Sequence, residues 1–359
     1  MGFNNEECGR CMKREQEFFK GCLIGGAIGD ALGWPIEFMT LKEITQQYGS
    51  RGIRDLKLFP TGKAEITDDT QMTLFTAEGI LRAETRGHEK GICHPPSVVF
   101  YAYQRWLLTQ GYPRVQDYEW VYDGWLLGVK ELHARRAPGN SCLSALISRK
   151  QGTMSEPIND SKGCGGVMRV APAGLFYRKE KAFKMAAEFA GLTHGHPSGY
   201  LSAGALAYLI ASIIEGQDLE TAVNNTLTEL EGYDNHEECT QLLKQAQKLS
   251  KSNLSDVEAI TLLGEGWVGE EALGISVYCA LKYPGDFEKA LIAAVNHDGD
   301  SDSTGAITGN ILGAYLGLSK IPPHWIENVE LKEVLIQIAE DLLMTYQKDE
   351  EWWERYPGY

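Results

Sequence analysis

Glycine falls at every fourth position in two distant stretches of this chain: Gly21, Gly25, Gly29 and Gly33 near its start, and Gly305, Gly309, Gly313 and Gly317 near its end. Residues four apart share one side of an α-helix, and each glycine inside a helix costs about 1 kcal/mol relative to alanine. Something must offset that cost. Close approach of a second helix does so, because backbones can meet only where no Cβ stands between them. If the two striped helices lie antiparallel, the Glu37 end of the first sits beside the Asp300 and Asp302 start of the second. The competing reading, in which each stripe packs on different neighbours, stays open at this point. Both segments are too polar for membrane spans. No apolar run is read as reaching the ~18 residues a span needs, since Asp30 interrupts the longest glycine-rich candidate.

Period-two alternation is hard to find, whereas apolar residues recur at helical spacing from Lys13 to Gln347, which predicts an all-α protein. Helices are expected over residues 13–33, 69–84, 96–109, 181–192, 199–214, 236–251, 267–282, 303–318 and 328–347. Turn-rich stretches lie at Arg51–Lys63, Ala137–Asn140 and Ser155–Gly166. A length of 359 residues suggests two domains by the usual ~150 residues per domain. No Pro/Ser/Gly tract or charge block separates two halves, however, and the chemical groups at the two ends belong together. Residues 13–359 are therefore read as one domain, preceded by a flexible extension over residues 1–12.

With 43% hydrophobic and 23% charged residues the composition is that of a globular protein. Lys and Arg number 34 against 49 Asp and Glu, a net charge of -15, and no local basic patch stands out. Direct nucleic-acid binding is disfavoured. The opening MGFNNEECGR lacks the basic-then-apolar order of a signal peptide, and Glu6 stands where a myristoylation signal has Ser or Thr. Eight cysteines are too sparse for a disulfide framework. Cys8 and Cys11 form the one CxxC pair, and no second pair completes a zinc site. A cytoplasmic, monomeric protein without a membrane partner is expected.

In ITDDTQMTLFTAEGIL, Thr67, Asp68 and Asp69 stand immediately before an apolar helix. Alone this is a good helix start, since Thr caps free N–H groups and Asp complements the positive terminus. HDGDSDSTGAITG repeats the arrangement, with Asp298, Asp300 and Asp302 at alternate positions and Ser303 opening the second striped helix. Capping explains one acid, not three. Carboxylates this close repel and raise one another's pKa unless a cation neutralises them. Oxygen ligands without His or Cys at ligand spacing favour Mg²⁺ or Mn²⁺ over zinc. A calcium loop fails for want of a Glu twelve residues from its first Asp.

Two further stretches read as ligand surfaces. SKGCGGVMRVAP, with Gly163, Gly165 and Gly166 around Cys164, can offer backbone N–H groups to a phosphate, although it lacks the GK[ST] ending of a Walker loop and reads equally as a tight turn. GEGWVGEEALGIS offers Trp267 as a flat surface for a purine, against the alternative of a core or lid residue. His194 and His196 in THGHPSGY are read as loop residues, because i,i+2 spacing does not share a helix face.

Taken together, GCLIGGAIGDALGWPIEF, ITDDTQMTLFTAEGIL, SKGCGGVMRVAP, THGHPSGYLSAG, GWVGEEAL and NHDGDSDSTGAITGNILGA make the chain resemble the ADP-ribosylglycohydrolase family over nearly its whole length. The resemblance implies one domain of orthogonally packed helices, with two Mg²⁺ or Mn²⁺ ions in a cleft. It implies Thr67, Asp68, Asp69, Asp300, Asp302 and Ser303 as metal ligands, Asp302 bridging both ions, and Glu37 as the acid next to the scissile bond. It implies that the loop of Gly163, Cys164, Gly165 and Gly166 holds the diphosphate. His194 is counted with the substrate-binding residues, and the region around Trp267 with the adenosine end. DSDS rather than DTDT, GCGG and TH-x-HP-x-GY look more like the ADP-ribosylarginine hydrolases and the bacterial dinitrogenase reductase-activating glycohydrolases than like the serine-directed branch. Ser303 departs from the threonine common elsewhere in the family but keeps a hydroxyl.

The implied activity is hydrolysis of the N-glycosidic bond between ADP-ribose and a protein arginine, releasing ADP-ribose from a mono-ADP-ribosylated protein. Metal ions would gather ribose hydroxyls and lower the pKa of water, and Glu37 would orient that water or move a proton. The alternatives are a hydrolase of O-linked ADP-ribose on serine or polymer, and a non-catalytic ADP-ribose binding or structural protein. Clustered Asp argues against the last, since a scaffold gains nothing from it.

Overall fold

Helices account for all the regular structure in a computed structural model of the chain, which describes residues 12–358. The helices are α1 (Gln16–Gly33), α2 (Leu41–Tyr48), α3 (Asp68–Lys90), α4 (Pro95–Thr109), α5 (Asn140–Ile147), α6 (Ala171–Phe176), α7 (Lys179–Gly191), α8 (Pro197–Ile214) and α9 (Leu219–Leu230). They continue with α10 (Glu237–Ser250), α11 (Asp256–Leu263), α12 (Gly269–Lys282), α13 (Phe287–Val295), α14 (Ser301–Leu316), α15 (Pro323–Asn328), α16 (Lys332–Met344) and α17 (Glu350–Arg355). Among the described residues there are no strands, only isolated bridges between Ala64 and Val329 and between Gly163 and Val268. The all-α expectation holds.

The glycine stripes face each other. α1 and α14 run antiparallel, with Gly21 against Gly313, Gly25 against Gly309, Gly29 against Gly305, and Gly33 against the backbone of Ser301. A Cβ built on Gly25 would lie 2.5 Å from the Gly309 carbonyl oxygen, and the reciprocal positions are as tight. Two of the eight glycines depart from the simple stripe: Gly33 meets a serine backbone, and Gly317 lies beyond the end of α14, where its φ of 87° stops the helix. Asn310 locks the pair by donating from Nδ2 to the Cys22 carbonyl at 2.8 Å.

Around this pair a continuous apolar core runs from Phe19 to Tyr356. α8 lies within it, packed by α6, α7, α9, α12 and α14 and buried along nearly its whole length. Contrary to the expectation that no apolar run reaches span length, Pro197–Ile214 is uncharged and long and apolar enough, by length and composition, to cross a membrane. Here its alanines and glycines let neighbouring helices cover it on all sides.

Most helix positions agree with the apolar period, and the departures have local causes. α1 begins at Gln16 rather than residue 13, because Lys13 donates its backbone N–H to Ile214. α3 runs on to Lys90 and ends at Gly91 in the left-handed region. The segment expected as one helix over 328–347 is interrupted: Val329 bridges to Ala64, Leu331 takes a φ of 60°, and α16 starts only at Lys332. Asn140, read as part of a turn, opens α5. Several short helices were missed although they carry start signals. Thr40 with Glu43, and Ser255 with Glu258, form reciprocal capping boxes at α2 and α11, and Asp218 caps α9. Cys8, Cys11 and all of the expected extension except Met12 lie outside the described residues. The cysteines of the described region are free.

Candidate active site

The antiparallel glycine contact decides where the acids go. α1 ends in a tight turn over Trp34–Ile36 that turns Glu37 back toward the start of α14, and α14 begins with Asp300 as its N-cap. Asp300 accepts from Ser303 N at 3.2 Å and from the Cys164 thiol at 2.7 Å, while Asp302 accepts from Ser303 N at 3.0 Å. The start of α3 closes the third side. Thr67 caps it, accepting from Asp69 N at 3.3 Å, and its hydroxyl donates to Asp302 Oδ2 at 3.2 Å. Asp68 accepts from Gly139 N at 3.2 Å.

Beneath these residues lies an acid that the sequence reading treated only as an interruption of an apolar run. Asp30 is wholly buried on α1 and accepts from Thr67 N at 3.0 Å and Thr70 N at 3.1 Å, and from the Thr70 hydroxyl. It thus ties α1 to the first turn of α3 and holds Thr67 in place. Its place inside the glycine-rich stretch, directly after Gly29, left no signal of this. Asp298, which shares the motif's alternate spacing with Asp300 and Asp302 but is outside the expected ligand set, turns away and accepts from Leu41 N at 2.7 Å at the start of α2. It does not line the cleft. Gly299, at a φ of 124°, breaks the alternation and redirects the chain between Asp298 and Asp300.

Six carboxylates, Asp30, Glu37, Asp68, Asp69, Asp300 and Asp302, are all buried at this junction. Burial, with the charges of Asp300, Asp68 and Asp30, pushes the Glu37 carboxyl up to about 9. Burial is also the main reason that Asp68 rises to about 8 and Asp30 to about 6. Asp69 and Asp302 are pushed well above the usual carboxylate range by burial and by their acidic neighbours. Glu37 Oε2 and Asp69 Oδ2 are buried without a hydrogen-bond partner. Orphaned oxygens and mutual repulsion are both relieved by a hard cation, and carboxylates with the Thr67 and Ser303 hydroxyls are the donor chemistry such a cation takes. The residues present fit a divalent oxygen-seeking ion. Among the described residues no three His, Cys, Asp or Glu side chains are already arranged to hold one ion. Asp300 and Asp302 instead engage the Cys164 thiol and the Thr67 hydroxyl.

The glycine loop and the tryptophan segment, separate in sequence, are stitched together. Cys164 N donates to the Trp267 carbonyl at 3.1 Å and Gly269 N to the Lys162 carbonyl at 2.8 Å. Trp267 precedes α12 rather than starting it, is 39% exposed, and stacks on Phe38 with ring centroids 5.9 Å apart. Phe38, 70% exposed, was not singled out in the sequence. Its neighbour Glu37 carried the motif. Cys164–Gly166 is a single tight turn, not the lead into a helix, and α6 begins only at Ala171. His194 packs beneath this turn, its Cε1 3.0 Å from where a Cβ of Gly165 would stand. Its Nδ1 meets the Thr193 hydroxyl at 2.8 Å, and that hydroxyl accepts from buried Arg169 at 2.7 Å. Burial, then the Arg169 charge, pushes the imidazole down to about 3, so it is neutral. His196 caps α8 by accepting from Ser198 N at 3.1 Å and stays outside the site.

A cleft of about 470 Å³ gathers Glu37, Asp68, Asp69, Gly163, Cys164, Gly165, His194, Trp267, Asp300, Asp302 and Ser303 on its walls. Thr67 lies under this surface, and Gly166 lies behind it against Ala190 and the Gly199 carbonyl. Phe38, Asn140, Ser141 and Arg135 line the cleft as well and were not foreseen. Arg135 is its only Lys or Arg among the described residues. The site is therefore strongly acidic on one wall and aromatic at its mouth.

The ADP-ribosylglycohydrolase family model matches residues 12–352. An uncharacterized protein of Archaeoglobus fulgidus is 30% identical over 93% of this chain and 98% of its own length. The ADP-ribosylhydrolase ARH3 of Bos taurus is 25% identical over 92% of this chain and 93% of its own length. The ADP-ribosylarginine hydrolase Tri1 of Serratia proteamaculans is 26% identical, covering 90% of this chain and 78% of Tri1. Among solved structures, an ADP-ribosylglycohydrolase-related protein complex superposes with a TM-score of 0.63 at 22% identity, over 93% of this chain and 99% of that one, a likeness of fold. The match over nearly the whole chain, joined to helix starts that bring their acids into one cleft, places this protein in the ADP-ribosylglycohydrolase family.

Proposed function

We propose that this hydrolase cleaves the N-glycosidic bond between ADP-ribose and an arginine side chain of a modified protein, using two Mg²⁺ or Mn²⁺ ions held by Thr67, Asp68, Asp69, Asp300, Asp302 and Ser303. The observation carrying this reading is the buried set of carboxylates with two oxygens lacking any partner, which a scaffold or a simple binding module would not retain. Bound there, divalent cations would supply Lewis acidity toward ribose hydroxyls and toward water near neutral pH. Glu37, with Oε2 unpartnered at the cleft wall, positions the attacking water and moves its proton. The Gly163–Gly166 turn takes the diphosphate over the neutral His194 ring, and the Phe38–Trp267 pair takes the adenine face.

Charge supports the arginine linkage. A guanidinium keeps its positive charge when ADP-ribosylated, whereas an O-linked serine is neutral, so Glu37, the carboxylate outside the proposed ligand set, favours the former. Tri1 is named as acting on ADP-ribosylarginine, which agrees with this direction. One favourable charge contact is worth ~1.5–3 kcal/mol, roughly ten- to a hundredfold in rate constant. Matched peptides differing only at the modified residue, assayed for released ADP-ribose by mass spectrometry, should give a kcat/KM at least about tenfold higher for arginine. Equal rates, or faster release from serine, would replace this reading with the O-linked one.

A further inference from the structure

A second cavity, of about 730 Å³, opens at the opposite end of α3, walled by Arg82, Arg86, Arg105, Ile92, Tyr101 and Trp120. From Asp68 to Arg82 the helix rises about 21 Å at 1.5 Å per residue, so this cavity is separate from the acidic cleft. Its electrostatics are reversed. On a chain of net charge -15, three guanidiniums meet here and no Asp or Glu among the described residues lines the wall.

Arg82 and Arg105 are each met by a carboxylate, and the charge left over is that of Arg86. Arg82 donates to Asp123 Oδ1 at 2.8 Å and to the Pro357 carbonyl at 3.1 Å. Arg105 is almost wholly buried; its Nε donates to Glu78 at 2.9 Å and its Nη1 to the Val121 carbonyl at 3.1 Å. Its Nη2 has no partner. Arg86, half-buried, has no carboxylate within ion-pair distance among the described residues, since Glu78 is engaged by Arg105 and Arg82, Asp123 by Arg82, and Glu84 by His88. A buried guanidinium nitrogen left unsatisfied is unfavourable, and a bound anion would relieve it.

His94 and Ser97 also line the cavity, and the rest of its wall is mostly apolar or aromatic. Ile92 is 74% exposed and Trp120 52% exposed, and the Trp120 and Tyr101 rings meet edge to face at 4.9 Å. A volume of this size with few polar groups beside an aromatic wall is what a small-molecule site looks like. We propose that this cavity binds a small aromatic carboxylate, its anionic head on Arg86 and Arg105 and its flat body against Trp120, Tyr101 and Ile92. Bidentate pairing favours carboxylate over a lone acceptor, and the rings favour a flat partner over an aliphatic one.

Calorimetric titration of the full chain with 1-naphthoate tests this, with uncharged 1-naphthamide as the matched control. Naphthoate should bind one to one, and naphthamide at least about tenfold more weakly, since only the acid engages the guanidiniums. Arg86→Ala and Ile92→Asp, both at positions whose side chains are not core, should each weaken naphthoate by about tenfold or more while leaving the melting temperature unchanged. Excess ADP-ribose should not displace it. Absence of naphthoate binding, equal binding of the amide, unchanged affinity in both variants, or competition by ADP-ribose would each overturn the assignment. None of these outcomes depends on which glycosidic bond the other cleft cuts.

Discussion

Substituting alanine for glycine should have opposite effects at two helical positions, and the sign at each is set by what a Cβ would meet. Gly87 lies inside α3, where a new Cβ would find nothing nearer than the Cys93 Cβ at 4.0 Å. Gly87→Ala should therefore gain the helix propensity difference, up to about 1 kcal/mol. At Gly309 the same Cβ would overlap the Gly25 carbonyl, lying 2.5 Å from its carbon and 3.0 Å from Gly26 N. Both contacts are to backbone, so neither can turn aside, and α1 and α14 must separate. Overpacking a fitted core costs about 1–3 kcal/mol, and a backbone clash belongs at the upper end or beyond. Less the propensity gain of about 1 kcal/mol, Gly309→Ala should lose about 2 kcal/mol net, so the two variants should differ by about 3 kcal/mol. For a large domain 1 kcal/mol moves the melting temperature by about 2 °C, which makes the two shifts separable by calorimetry or circular dichroism. Gly309→Ala should also lose activity well below its melting temperature, because parting the helices draws Glu37 away from Asp302. A Gly309→Ala protein that melts at or above the parent would refute the idea that close backbone approach offsets the cost of the stripes.

Exhaustive chelation should abolish ADP-ribose release and Mg²⁺ or Mn²⁺ should restore it; full activity in protein shown by metal analysis to be free of divalent ions would sink the binuclear proposal. Asp302→Asn should fold at least as stably as the parent without added metal, since it removes one charge from a repelling cluster, yet lose most turnover because an amide supplies no negative charge to a bound cation. Glu37→Gln should keep its metal content and lose turnover, and a variant stripped of both ions would move Glu37 into the ligand set. Asp30→Asn should cost about 1–3 kcal/mol, because its amide would set a donor against the Thr67 and Thr70 N–H groups; a denaturation midpoint equal to the parent's would show that Asp30 does not hold Thr67.

Much of this protein follows from its sequence because the decisive signals are local or periodic. The 3.6-residue spacing of apolar residues marks the long helices. Thr67, Asp68 and Asp69, and likewise Asp300, Asp302 and Ser303, announce helix starts through capping chemistry that needs no distant partner. Gly21 to Gly33 and Gly305 to Gly313 require some backbone neighbour, whichever it is. Only tertiary structure decided that the two stripes are each other's neighbour and antiparallel, and that choice carries Glu37 to Asp302. It also separated acids that look equivalent in the chain: Asp298 and Asp300 differ by one glycine at positive φ, which sends the first to α2 and the second to the cleft. Asp30 looks like an interruption of an apolar run until α3 is placed against it, and Phe38 is an ordinary aromatic until Trp267 stacks on it. A hydrogen bond or ring contact between residues hundreds of positions apart depends on how the whole chain packs, and the residues that make it carry no mark of it in their own segments.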